Sequence, residues 1–119
     1  PRVILIEPLN YLDFISLMKN SKLILTDSGG IQEEAPSFKV PTLVLRKTTE
    51  RSEAIEQGFA KLVGTDEDLI LKEANNILIN HKLLKESSEK NNPFGDGKSS
   101  QNIYSISLNF LKKNNLINT

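Results

Sequence analysis

The stretch Lys22–Pro36, KLILTDSGGIQEEAP, decides the fold. Lys22–Thr26 is a short apolar run of the kind that forms a buried strand. Asp27-Ser28-Gly29-Gly30 ends it with turn residues, and a helix is predicted to open there, with Ile31, Ala35 and Phe38 facing inward. Pro36 lacks a backbone donor and is expected to kink or shorten that helix.

The same strand–turn–helix unit repeats outward in both directions. Upstream, Val3–Ile6 reads as a strand closed by Glu7-Pro8, and Tyr11–Asn20 as a helix with Leu12, Ile15 and Met18 on one face. Downstream, Thr42–Leu45 (TLVL) is a third strand. A short helix over Arg51–Gln57 stops at Gly58, the residue suited to a left-handed C-terminal cap. Ala60–Val63 is a weaker fourth strand, followed by a capping box of Thr65 with Asp68 and a helix carrying Ile70, Ala74, Ile77 and Leu78. The segment from His81 to Asn91 is polar. Asn92–Gly97 is dense in turn residues, and Ser99 or Ser100 is placed to cap a last helix carrying Ile103, Ile106, Phe110 and Leu111. Beyond it, Lys112–Thr119 reads as a solvated, frayed tail. Strands without clean alternation, interleaved with helices, predict an α/β fold: a parallel sheet covered on both faces.

Composition narrows the chemistry. The chain has 119 residues, enough for one domain and no internal boundary, with 15 basic and 15 acidic residues and no net charge. That balance offers no bulk attraction to nucleic acid or to anionic membranes. With no cysteine, disulfides, thiolate nucleophiles and sulfur-ligated metals are excluded, and with one histidine, His81, so is any site of several imidazoles. No apolar run approaches the ~20 residues that span a bilayer, and no signal-peptide pattern precedes the first strand, so the cytoplasm is the expected address. The chain opens Pro1-Arg2 and runs straight into Val3, which reads as a piece of something longer.

In an open parallel sheet, ligands bind beyond the carboxyl ends of the strands. Asp27–Gly30 lies there. Its glycines permit close backbone approach, and Ser28 with the free amides at the helix start suits a phosphate. The alternative is a tight turn with Ser28 as the helix N-cap. Glu33 and Glu34 follow in the first helical turns, either as partners of the helix dipole or as acceptors for a vicinal diol such as ribose. Two of the three arginines, Arg46 and Arg51, fall in the loop after TLVL, where a rigid fork suits bidentate phosphate binding. The alternative there is that Thr49 caps the next helix and both arginines are solvated. Tyr11 and Phe14 follow the first strand, either as a stacking platform for a base or as core packing.

DSGGIQEEAP (27–36), PTLVLRKTTERSEAIEQG (41–58), KLVGTD (61–66) and NPFGDGKSS (92–100), with EPLNYLDF (7–14), resemble the C-terminal part of the non-hydrolysing UDP-N-acetylglucosamine 2-epimerases. The resemblance implies a single, partial Rossmann-like UDP-binding domain over 1–119, within a two-domain GT-B enzyme. It implies that Ser28, Gly29 and Gly30 hold the diphosphate, that Arg51 assists, that Glu34 takes the ribose hydroxyls, and that Tyr11 and Phe14 hold the uracil. The family reaction interconverts UDP-GlcNAc and UDP-ManNAc by elimination of UDP and its re-addition, with no cofactor and no metal. The carboxylates for the C2 proton and most of the homodimer contact would lie in an N-terminal domain absent here, so no catalytic residue is expected in this chain and the chain alone is expected to be inactive. Lys47, Ser52 and Phe38 stand where relatives more often carry Asp, Pro and Leu. The competing identities are the nucleotide-sugar half of a GT-B glycosyltransferase and a non-catalytic UDP-binding module.

Overall fold

A computed structural model describes residues 2–80 and 91–116. Three parallel strands form one sheet in the order β1 (Ile24–Thr26), β2 (Thr42–Val44), β3 (Ala60–Leu62). Ile24 pairs with Thr42 and Thr42 with Ala60, so the three strands run in step. Parallel neighbours need a crossover, and helices supply both: α2 (Gly29–Phe38) joins β1 to β2, and α3 (Ser52–Glu56) joins β2 to β3. Helix α1 (Tyr11–Lys19) precedes β1, and α4 (Glu67–Ile79) and α5 (Ser99–Lys113) follow β3.

All three residues of the central strand β2 are buried, as expected for a sheet covered on both faces. One core gathers Val44, Ala54, Phe59 and Ala60, with Ile55, Leu62 and Phe94 packed against it. The other gathers Leu43, Val63 and Ile77, with Leu23, Ile70 and Ala74. Leu43 and Val44 are adjacent and so point to opposite faces, which is why a three-residue strand serves two cores. Gly58 takes φ +75° just beyond α3, the left-handed conformation expected of it. Pro36 lies buried in the last turn of α2, which ends two residues later, so it shortens the helix without interrupting it.

Four expectations are corrected. Val3–Ile6 is not a strand: these residues are exposed, Leu5 to 94%, and join no ladder among the described residues. A strand exists through its neighbour's hydrogen bonds, and the sheet offers these four residues none. Leu12 points outward, leaving Met18 buried and Ile15 half-buried as the inner face of α1. Asp66, not Thr65, caps α4, its carboxylate accepting from the Leu69 amide at 2.8 Å; Asp is the stronger N-cap. Helix α5 starts after Lys98 with no side-chain cap from Ser99 or Ser100, and it runs on through Lys113 before the tail begins. His81 lies outside the described residues.

Candidate functional site

The site is assembled at the carboxyl ends of β1 and β2. The Thr26 hydroxyl, buried at the end of β1, accepts the Ser28 amide at 3.1 Å and so fixes the start of the turn. Ser28 occupies the N-cap position of α2 in extended conformation, but its hydroxyl makes no capping hydrogen bond. The reading of Ser28 as a side-chain cap therefore fails. The amides of Gly29, Gly30 and Ile31 have no intrahelical acceptor, because they open the helix. Ser28 and Gly30 are exposed residues at this end of the helix.

Arg51 comes from the other side. Its Nε donates to Glu33 Oε1 at 2.8 Å, and Nη1 pairs with Glu50. The guanidinium lies directly against Gly29: a Cβ there would sit 2.9 Å from Arg51 Cζ. Glycine at 29 is thus needed for the approach of another chain segment. The alternative in which Arg51 is merely solvated fails, since its side chain is about three-quarters covered. Arg46 remains more exposed and reaches Glu50 at 3.5 Å. Glu50 is consequently held below the usual carboxylate range, chiefly by a backbone hydrogen bond and then by the two guanidinium groups.

The two glutamates of α2 separate in role. Glu33 engages Arg51, while Glu34 accepts a hydrogen bond from the Tyr11 hydroxyl at 3.3 Å. The charge on Glu34 pushes the Tyr11 phenol above its ordinary value. Tyr11 is exposed and Phe14 half-buried, and the Tyr11–Glu34 hydrogen bond shows that the first turn of α1 lies beside α2. Ser28, Gly29, Gly30 and Arg51 meet at one spot, with Glu34 and Tyr11 paired on the adjoining surface of α2.

Three participants escaped the sequence reading. Gln32 is buried and bridges the Ser28 carbonyl to the Thr49 hydroxyl. Thr49, in one alternative the cap of α3, instead accepts the Arg51 amide at 3.1 Å and donates to Gln32 at 2.7 Å. Asn92 donates to the Glu33 carbonyl at 3.3 Å and to the Ser37 hydroxyl at 2.6 Å, anchoring the Asn92–Gly97 loop on α2. A polar residue at an inward position of an amphipathic helix was the available signal for Gln32; for Asn92 there was none beyond turn composition. Among the described residues, no group of three or more His, Asp or Glu side chains is placed to hold a metal, and no helix is long and apolar enough to cross a membrane.

Comparison with known proteins meets this geometry. The family model for UDP-N-acetylglucosamine 2-epimerase matches residues 1–108. The Bacillus subtilis UDP-N-acetylglucosamine 2-epimerase is 52% identical over 102 residues, 86% of this chain and 27% of that protein. Among solved structures, the S. aureus MnaA–UDP co-structure superposes with a TM-score of 0.80 at 46% identity, covering 95% of this chain and 30% of that one. The Neisseria meningitidis UDP-GlcNAc 2-epimerase bound to UDP-GlcNAc gives 0.79 at 44% identity, covering 87% and 28%. The chain thus spans between a quarter and a third of the length of these relatives. A parallel α/β unit with a glycine turn braced by an arginine, matched over nearly its whole length by one family model, belongs to the UDP-N-acetylglucosamine 2-epimerase family.

Proposed function

We propose that this chain is the UDP-binding part of a UDP-N-acetylglucosamine 2-epimerase, which interconverts UDP-GlcNAc and UDP-ManNAc by eliminating UDP and adding it back. The observation that carries the reading is the seating of the Arg51 guanidinium on Gly29, beside the open amides of α2. That places a fixed cation and backbone donors on one point, which suits a diphosphate. Ser28, Gly29, Gly30 and Arg51 would hold the phosphates, Glu34 the ribose hydroxyls, and Tyr11 with Phe14 the uracil. Tyr11 now satisfies a Glu34 oxygen, and ribose would take that place.

Negative charge grows on UDP as its bond to the sugar C1 breaks, and donors aimed at the phosphates stabilise that charge where it develops. This chain would supply that contribution. The groups that move the C2 proton, the second GT-B domain, a homodimeric assembly, a cytoplasmic setting and a role in cell-surface polysaccharide synthesis are assigned to the longer protein on family membership alone.

Titration of the purified chain with UDP, followed by calorimetry and thermal unfolding, tests the reading. Saturable binding with a rise in Tm is expected, because a ligand that binds only the folded state stabilises it. No binding and no rise at millimolar UDP would sink it. Incubated with UDP-GlcNAc, the chain should form no UDP-ManNAc; turnover above background would show that it carries acid–base groups of its own.

A further inference from the structure

Gln32 is only 1% exposed, yet its side chain is an amide. Burying one is costly unless both its ends find partners. Here each end is specified. The Ser28 carbonyl can only accept, so the group facing it at 3.1 Å must be the amide nitrogen. The Gln32 oxygen is then left to accept the Thr49 hydroxyl at 2.7 Å. With its proton committed to Gln32, Thr49 Oγ1 has lone pairs for the Arg51 amide at 3.1 Å. A single directed chain of hydrogen bonds therefore runs from the backbone of the glycine turn to the backbone of Arg51. It spans segments that are 17 residues apart in sequence. An apolar residue would fill the same space without linking anything.

We propose that Gln32 is a positioning residue that, through Thr49, locks the Ser28–Gly30 turn and Arg51 into one anion-binding unit. This rests on the UDP-binding reading of the site. Gln32 itself is too buried to meet the ligand. It holds the amides of the turn and the backbone of Arg51 at a fixed separation, while Glu33 and Glu50 orient the guanidinium at the end of that side chain. A networked buried amide of this kind favours one arrangement of the loops over its alternatives. The glycine at 29 and the amide at 32 then serve a common end: one leaves room for the Arg51 guanidinium, and the other ties down the backbone that carries it.

Thr49→Val removes the hydroxyl while keeping the shape, Thr49→Ser keeps the hydroxyl, and Gln32→Leu removes the bridge itself. Binding of UDP and of uridine is measured for each in the 119-residue chain, by calorimetry and by NMR titration. Thr49→Val is expected to lower UDP affinity about tenfold, the scale of a lost hydrogen bond in a charged site, with uridine affinity unchanged and UDP affinity restored in Thr49→Ser. Gln32→Leu should match Thr49→Val if it folds, and the Thr49 pair decides the matter if it does not. UDP affinity unaltered in Thr49→Val, or UDP and uridine weakened equally, would overturn the inference. Failure of the wild-type chain to bind UDP would instead overturn the reading of the site beneath it, and the wild-type titration tells these two failures apart.

Discussion

Strand β2 and helix α5 are both built on branched apolar residues, yet they end in opposite conditions. Thr42, Leu43 and Val44 are all buried, whereas α5 buries none of its 15 residues and leaves Ile103, Ile106 and Phe110 more than 60% exposed. Local pattern produces both elements: β-branched residues suit the strand, and apolar residues at helical spacing define one face of α5. Burial needs a second surface as well. β2 has one on each side, from α3 and Phe59 on one face and α4 on the other. Among the described residues, α5 has none that buries its stripe; only Leu108 and Leu111 are partly covered. Apolar area stabilises only when removed from water, at about 25 cal/mol per Å², so the stability of this chain resides in the sheet and its three neighbouring helices.

The sharpest way to break that contrast is to remove the same kind of side chain from each region. Leu43→Ala should cost about 2–5 kcal/mol in urea unfolding, whereas Ile106→Ala should change stability by no more than about 0.5 kcal/mol. Equal losses would show that α5 is packed in solution.

The site adds a third kind of surface, exposed like α5 but ordered by polar contacts. Arg51→Ala should weaken UDP binding by about 1.5–3 kcal/mol, the range for hydrogen bonds to charged groups. Unchanged affinity would remove Arg51 from the site. Gly29→Ala is gentler: the added methyl meets only the movable end of Arg51, so stability should hold or rise slightly while UDP affinity falls several-fold. A loss of stability without a loss of affinity would mean that Gly29 serves the fold and not the site.

The smallest effect concerns the ion pair of Lys61 with Glu73, at 2.7 Å, in which the carboxylate is buried and the amine is half-exposed. The Lys61 hydrogen bond holds the Glu73 carboxyl below its ordinary value of 4.5, outweighing the opposing effect of burial. The folded chain therefore binds this proton more weakly than the unfolded one. The stabilisation is complete above about pH 4.5 and fades as pH falls through the lower folded value. Glu73→Gln should cost up to about 1 kcal/mol at pH 7 and progressively less toward pH 3. A cost independent of pH would assign the effect to packing.

Much of this architecture was legible in the sequence because periodicity and turn chemistry are local. The strand at KLILT, the glycine stop at 58 and the helix over Ile70–Ile77 required only neighbours in sequence. Val3–Ile6 has the composition of a strand, but a ladder is a relation between segments and four residues cannot state it. The site divided along the same line. Gly29, Ser28 and Arg51 stood out by residue type and position after a strand. Gln32 offered only its polarity at an inward helical position and Thr49 only its capping chemistry, because their joint role arises from a contact across 17 residues. The resemblance to a family carried the proposal of UDP as the ligand, which no residue pattern had specified.

The two carboxylates already seated on Arg51 have a consequence for selectivity. A phosphate bound as proposed would meet no bare cation; it would have to displace Glu50 or Glu33, both paired with the guanidinium. Tethered competitors act at high effective concentration, so a simple anion such as inorganic phosphate would be expected to exchange poorly. A ligand gripped at a second point, through a base or a sugar, can outcompete them. On the proposed UDP-binding reading, the built-in rivals would act as a filter, favouring a whole nucleotide over charge alone.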